Sequence, residues 1–161
     1  MMFKALKILV MVCIILFGAC SKEDGASKKN LSSLKIYAAN TNELRHEYMV
    51  ETANTRQKMY NGLMGRSHLD ADSGMIFDVN IVPKDMDVAM WMKDTLIPLD
   101  ILFVDATGVI FQIHHNAQPL DETPIYPTKR PRAVLEINGG QADALGLQVG
   151  DMLKNDLLGN N

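Results

Sequence analysis

Apolar and polar positions along this chain mark out short strands separated by turn residues, with two brief helical stretches between them. Leu34 to Ala38 alternates apolar and polar side chains, as a half-buried strand does. Asn40 to Glu43 is turn chemistry, and Glu47 to Ala53 predicts the returning strand. A helix is expected next, capped by Asn54 with Gln57 in the reciprocal position of a capping box. Met59 with Leu63, and Tyr60 with Met64, would stack one turn apart into an apolar stripe. Gly65 is placed to end that helix in a left-handed conformation. Met75-Ile76-Phe77 predicts a short buried strand, and Asn80 to Asp87 a loop.

The stretch from Met90 to Asp105 organises the middle of the chain. Val88 to Lys93 predicts a strand with Val88, Met90 and Met92 on one face and Ala89, Trp91 and Lys93 on the other. A polar turn closed by Pro98 follows. Leu99 to Val104 is then almost continuously apolar, the mark of an inner strand buried on both faces. Thr107-Gly108 turns the chain into a hairpin partner from Val109 to His114. Pro119, Pro124, Pro127 and Pro131 exclude helix and inner strand, so residues 119–132 form an extended surface loop. Ala133 to Ile137 predicts another strand, Gln141 to Leu145 a short helix stopped by Gly146, and Met152-Leu153 a last strand. The fold class expected is mainly β (α+β), a compact antiparallel β-sandwich of jelly-roll type with one or two short helices.

Composition alters little of this. At 161 residues, 47% hydrophobic and 22% charged, the chain is one ordinary domain. Its formal charge is −3 and no basic stripe interrupts the sequence, which argues against nucleic-acid binding.

The N-terminus carries its own signal. Lys4 and Lys7 precede an apolar run from Ile8 to Phe17, too short for a comfortable membrane span but suited to a secretory signal. Leu16-Phe17-Gly18-Ala19-Cys20 resembles the lipobox of bacterial lipoproteins, which implies cleavage after Ala19 and lipid on Cys20. An ordinary signal peptide cut near Ala19 is the alternative. Residues 1–19 are thus expected as signal and 20–33 as a lipid-anchored cysteine and flexible tether. The β domain would follow at 34–154 and a C-terminal tail at 155–161. Ser21 resembles the outer-membrane class, facing the periplasm in a cell with two membranes. Cys13 leaves with the signal and Cys20 is lipidated, so the mature domain has neither free thiol nor disulfide, and no cofactor is called for.

Several motifs in order resemble the uncharacterised domain of unknown function 192 family, from about Glu47 to Leu153. They are Gly62-Leu63-Met64-Gly65-Arg66, Gly74 to Phe77, Trp91 to Phe103, Arg132 to Glu136, Leu145-Gly146 and Gly150-Asp151. The resemblance implies a β-sandwich often exported or lipid-anchored, and no agreed activity. The family usually has Asn where this chain has Asp94. A carboxylate accepts but cannot donate, so Asp94 could instead pair with Lys93 or Arg66.

Three kinds of chemistry are open to these residues. Trp91, Lys93, Asp94, Asp100, Arg66 and Arg132 could line a face that binds a polar small molecule, a glycan or an envelope protein. Asp94 and Asp100, with Lys93 and Arg66, could instead serve as an acid–base pair of a hydrolase. His114-His115 with Met86, Met90 and Met92 have the ligand types for copper, but adjacent strand histidines point to opposite faces. The same residues also read as architecture, with Trp91 in the core and Arg66, Asp94, Arg132 and Glu136 in one buried ion-pair network. The expectation is an envelope lipoprotein with a non-catalytic binding or accessory domain.

Overall fold

The computed structural model describes residues 31–160. The expected signal segment, Cys20 and the tether up to residue 30 lie outside the described residues. Seven strands make a single sheet: β1 (Leu31–Tyr37), β2 (Leu44–Ala53), β3 (Ser73–Asp78), β4 (Leu99–Val104), β5 (Ile110–Ala117), β6 (Ala133–Asn138) and β7 (Met152–Lys154). Two short helices, α1 (Arg56–Asn61) and α2 (Gln141–Ala144), lie between them. The order across the sheet is β5-β4-β6-β3-β2-β1-β7, and all neighbours are antiparallel except β2 and β3. That parallel pair needs a crossover, and α1 sits in it.

The sheet curls until its two edges meet. Val109, just before β5, bridges to Met152 of β7. Beside it, Ile110 N–H donates to Asp151 O at 2.9 Å and Leu153 N–H to Gly108 O at 2.7 Å. This is the mainly β fold with short helices that the sequence predicts, its layers made by one sheet bent over itself.

Strand alternation divides the core in two. Leu34, Ile36, Tyr48, Val50, Ile76, Leu102, Val104, Leu135 and Ile137 fill one cluster, joined by Ala142 and Leu147. Met75, Phe77, Leu99, Ile101, Phe103 and Val134 fill the other, under Leu63 and Met92. Strands β3, β4 and β6 supply both clusters from alternate residues, so β4 is buried at every position and is apolar apart from Asp100.

Three boundaries differ from expectation. Val88 to Lys93 is not a strand. It makes one isolated bridge, Met90 with Ile125, and one further bond to the proline-rich loop, Met92 N–H to Asp121 O at 2.8 Å. A partner carrying Pro119 and Pro124 cannot offer a continuous ladder.

Helix α1 is capped by Thr55, whose hydroxyl accepts from Lys58 N–H at 3.3 Å, and not by Asn54. Gln57 donates to Asn61 Oδ1 instead of closing a capping box, and the helix ends at Gly62 (φ +46°), three residues before Gly65.

Finally, β1 begins at Leu31, inside the expected tether. Buried Asn155 holds it there, donating to Ser32 Oγ at 3.1 Å and Ser33 O at 2.7 Å. The same side chain accepts from Leu157 N–H, so the tail is docked on β1.

Candidate functional site

The polar turn of the central stretch is held by its backbone. Thr95 N–H donates to Met92 O at 3.0 Å, and within that turn only Asp94, its third residue, has positive φ (+52°). That is the pattern of a type II turn, which favours Gly or Asn at the third place because an L side chain is strained there. Asp tolerates the left-handed region nearly as well as Asn, which accounts for the exchange at this position without any side-chain role. The Asp94 carbonyl accepts from Gly65 N–H at 2.7 Å. The exit of α1 is thereby pinned to the central turn, and Tyr60 and Gly62 are brought beside Trp91.

Between them lies a small cleft of about 90 Å³. Tyr60 and Trp91 stand on its rim edge to face, their ring centroids 6.3 Å apart and their planes at 90°. They are 54% and 42% exposed, so neither belongs to the core. Met59, Met64 and Met90 add thioether walls, and Thr95 and Phe77 line it too. Gly62 stands over Phe77: a Cβ there would come within 3.3 Å of the Phe77 ring and 3.9 Å of Glu136 Oε2.

Glu136 also lines the cleft. It occupies β6 opposite Met75 of β3 and Ile101 of β4, on the apolar face that Val134 also serves. Only 4% of it is exposed, and among the described residues its carboxyl has neither a hydrogen-bond partner nor an ion pair. Burial pushes its pKa up to about 8, and the charge of Arg66 offsets only part of that. An unpartnered acid on an apolar sheet face costs stability, which marks the position as something other than core.

The residues proposed from sequence do not gather in one place. Trp91 lines the cleft. Asp94 is exposed and shapes it through its backbone, making no pair with Lys93 or Arg66. Half-buried Lys93 contributes a carbonyl that accepts from the Thr95 hydroxyl at 3.3 Å. Arg66 turns to Glu51 in a bidentate pair at 2.6 and 2.8 Å, which holds its guanidinium above its usual range. Arg132 donates to Asp78 Oδ1 and to Leu157 O, both at 2.6 Å, tying β6 to β3 and to the C-terminal tail. The supposed single network of Arg66, Asp94, Arg132 and Glu136 is therefore two separate clasps, to Glu51 and Asp78, that leave out both Asp94 and Glu136.

Asp100 is fully buried. Its Oδ1 accepts from Asn116 N–H at 2.7 Å and Gly140 N–H at 3.1 Å, and its Oδ2 from Ala142 N–H at 2.7 Å. It caps α2 from a distant strand. With one carboxylate exposed and the other sealed by amides, Asp94 and Asp100 do not form an acid–base pair open to a substrate. His115 turns to Asp143 at 3.1 Å, whereas His114 lines a second groove with Gln112, Asp121 and Tyr126, so the two imidazoles diverge.

The model of the DUF192 family, described as an uncharacterized ACR, matches residues 37–155. The chain belongs to this family. A protein of unknown function from Novosphingobium aromaticivorans is 37% identical, with TM-score 0.70 over 77% of this chain and 84% of that one. A provisionally assigned transcription regulator from Sinorhizobium meliloti is 35% identical, with TM-score 0.72 over 79% of this chain and 95% of that one. No curated protein matches. The span matched by DUF192 contains every residue of the cleft.

Two residues that line this cleft, Glu136 and Tyr60, are not among the ligand candidates that the sequence suggests. The signal for Glu136 was present: one charge inside Ala133-Val134-Leu135-Glu136-Ile137, at an inward position by period two. Tyr60 falls in the helical stripe that the sequence predicts, but α1 ends too soon to bury it.

Proposed function

We propose that this chain is a cell-envelope lipoprotein, anchored through Cys20, whose β domain is a non-catalytic binding or accessory module. In a cell with two membranes it would face the periplasm from the outer membrane. The cleft beneath Tyr60 and Trp91 is its binding site, and a polar small molecule, a glycan or a side chain of an envelope protein is its occupant. The observation that carries this is Glu136, a buried carboxyl without a partner, opening beneath two exposed aromatic rings. A ligand that supplies the missing partner recovers the cost of burying that group, and the rings offer it apolar contact with a fixed orientation. A space of about 90 Å³ holds a few waters' worth of atoms, so one head group enters and the rest of the ligand stays outside. The regulator assignment of the Sinorhizobium relative does not extend to this chain, whose charge is −3.

Two experiments test this. Replacing Cys20 by Ala should move the protein from the membrane to the soluble fraction; an unchanged distribution contradicts the anchor. A thermal-shift panel of sugars, cell-wall fragments and small polar molecules should give a hit worth about 2.7 kcal/mol at 100 times its dissociation constant. That hit should vanish in Trp91→Ala, and a hit of equal size in the variant contradicts the site.

A further inference from the structure

We infer that the head group taken by the cleft is a cation, an ammonium group, which ion-pairs with Glu136 under the rings of Tyr60 and Trp91. This deepens the binding reading above and rests on it. The lining supplies an acid, three aromatic rings and three thioethers, and no Lys, Arg or His. Anions would find no counter-charge there. A cation finds a carboxyl group in the lining and aromatic rings at the rim, and both attract it.

The surroundings agree on charge. The groups around Glu136 are Arg66 after α1, the Tyr60 phenol on α1 and the Thr95 hydroxyl of the central turn. Strands β3 and β4 present only Met75, Phe77 and Ile101. Arg66 is bound bidentately by Glu51, so its charge is already matched by another carboxylate. Glu136 feels the charge of Arg66 but forms no ion pair with it. Empty, it keeps its proton at neutral pH; an arriving ammonium favours the carboxylate, and the proton passes to solvent. Affinity should therefore rise with pH, by roughly tenfold per unit below the free-state pKa.

The chain contains one tryptophan, so its fluorescence reports on this cleft alone. The full chain, in a non-ionic detergent, would be titrated with two isosteric pairs: n-butylammonium against 1-butanol, and glucosamine against glucose. The expected result is a saturable change in Trp91 emission with the ammonium member, at least tenfold tighter than with its neutral partner. The affinity should rise between pH 6 and pH 8, and Glu136→Gln should lower it at least tenfold. Which pair responds separates an alkyl amine from an amino sugar. Neutral members binding as tightly, or no pH dependence in the wild type, would overturn the cation while leaving a binding cleft. Silence from all four probes would overturn the cation as well, and the thermal-shift panel then decides the cleft separately.

Discussion

Trp91 stands edge to face with Tyr60 at 6.3 Å, and both rings remain open to solvent on the cleft that the mostly buried Glu136 lines. Neither ring is needed to close the core. Trp91→Ala should therefore cost less than about 1 kcal/mol in denaturant melts. Phe103→Ala, in the buried cluster, should cost about 3–5 kcal/mol. A Trp91 variant as unstable as the Phe103 variant would return the indole to the core.

Asp100 predicts the opposite behaviour. Its carboxylate satisfies three buried or partly buried backbone amides, and each stranded donor costs about 1–3 kcal/mol. Asp100→Ala should lose about 3 kcal/mol or more in chemical denaturation, without touching ligand binding at the cleft in protein that remains folded. A near-neutral melt would show that α2 does not depend on this cap.

At Asp94 the backbone decides. A left-handed φ costs an ordinary side chain about 1–2 kcal/mol, which Asn and Asp largely avoid. Asp94→Asn should be neutral within about 0.5 kcal/mol, whereas Asp94→Ala should lose about 1 kcal/mol by denaturant midpoint. If Asp94→Asn were the costlier change, the carboxylate itself would matter.

These contrasts bear on what was legible in the sequence. The strands were, because burial on one or both faces writes period two or a nearly continuous apolar run, as in Leu34 to Tyr37 and, apart from Asp100, Leu99 to Val104. Val88 to Lys93 shows the same alternation yet forms no ladder, since alternation records burial and not a hydrogen-bonding partner. The grouping of charges was not legible. Arg66 and Arg132 choose Glu51 and Asp78, neighbours only once the sheet is registered. Asp100 looked like a site residue because a buried carboxylate that serves backbone amides has no sequence mark of its own. Glu136 was visible as an anomaly, but α1 and the central turn had to be seen over it before it became part of a cleft.

Glu136 also makes stability depend on pH. Its folded pKa, near 8, lies above the unfolded value near 4.5, so the folded state binds the extra proton between the two. The stability associated with protonated Glu136 is complete below about pH 4.5 and is lost as pH rises through 8. The slope is about 1.4 kcal/mol per pH unit from this group. Glu136→Gln should remove that slope and be the more stable protein at pH 9. Parallel pH profiles for the two proteins, measured by urea unfolding, would place the Glu136 proton elsewhere.

The most direct measurement is a pH titration of Trp91 fluorescence in the unliganded full chain, wild type beside Glu136→Gln. If an unpartnered acid opens into the cleft beneath the indole, wild-type emission changes with a midpoint near pH 8 and the Glu136→Gln trace stays flat through that range. A wild-type trace without a transition between pH 6 and pH 9, or an identical transition in both proteins, would contradict the cleft described here.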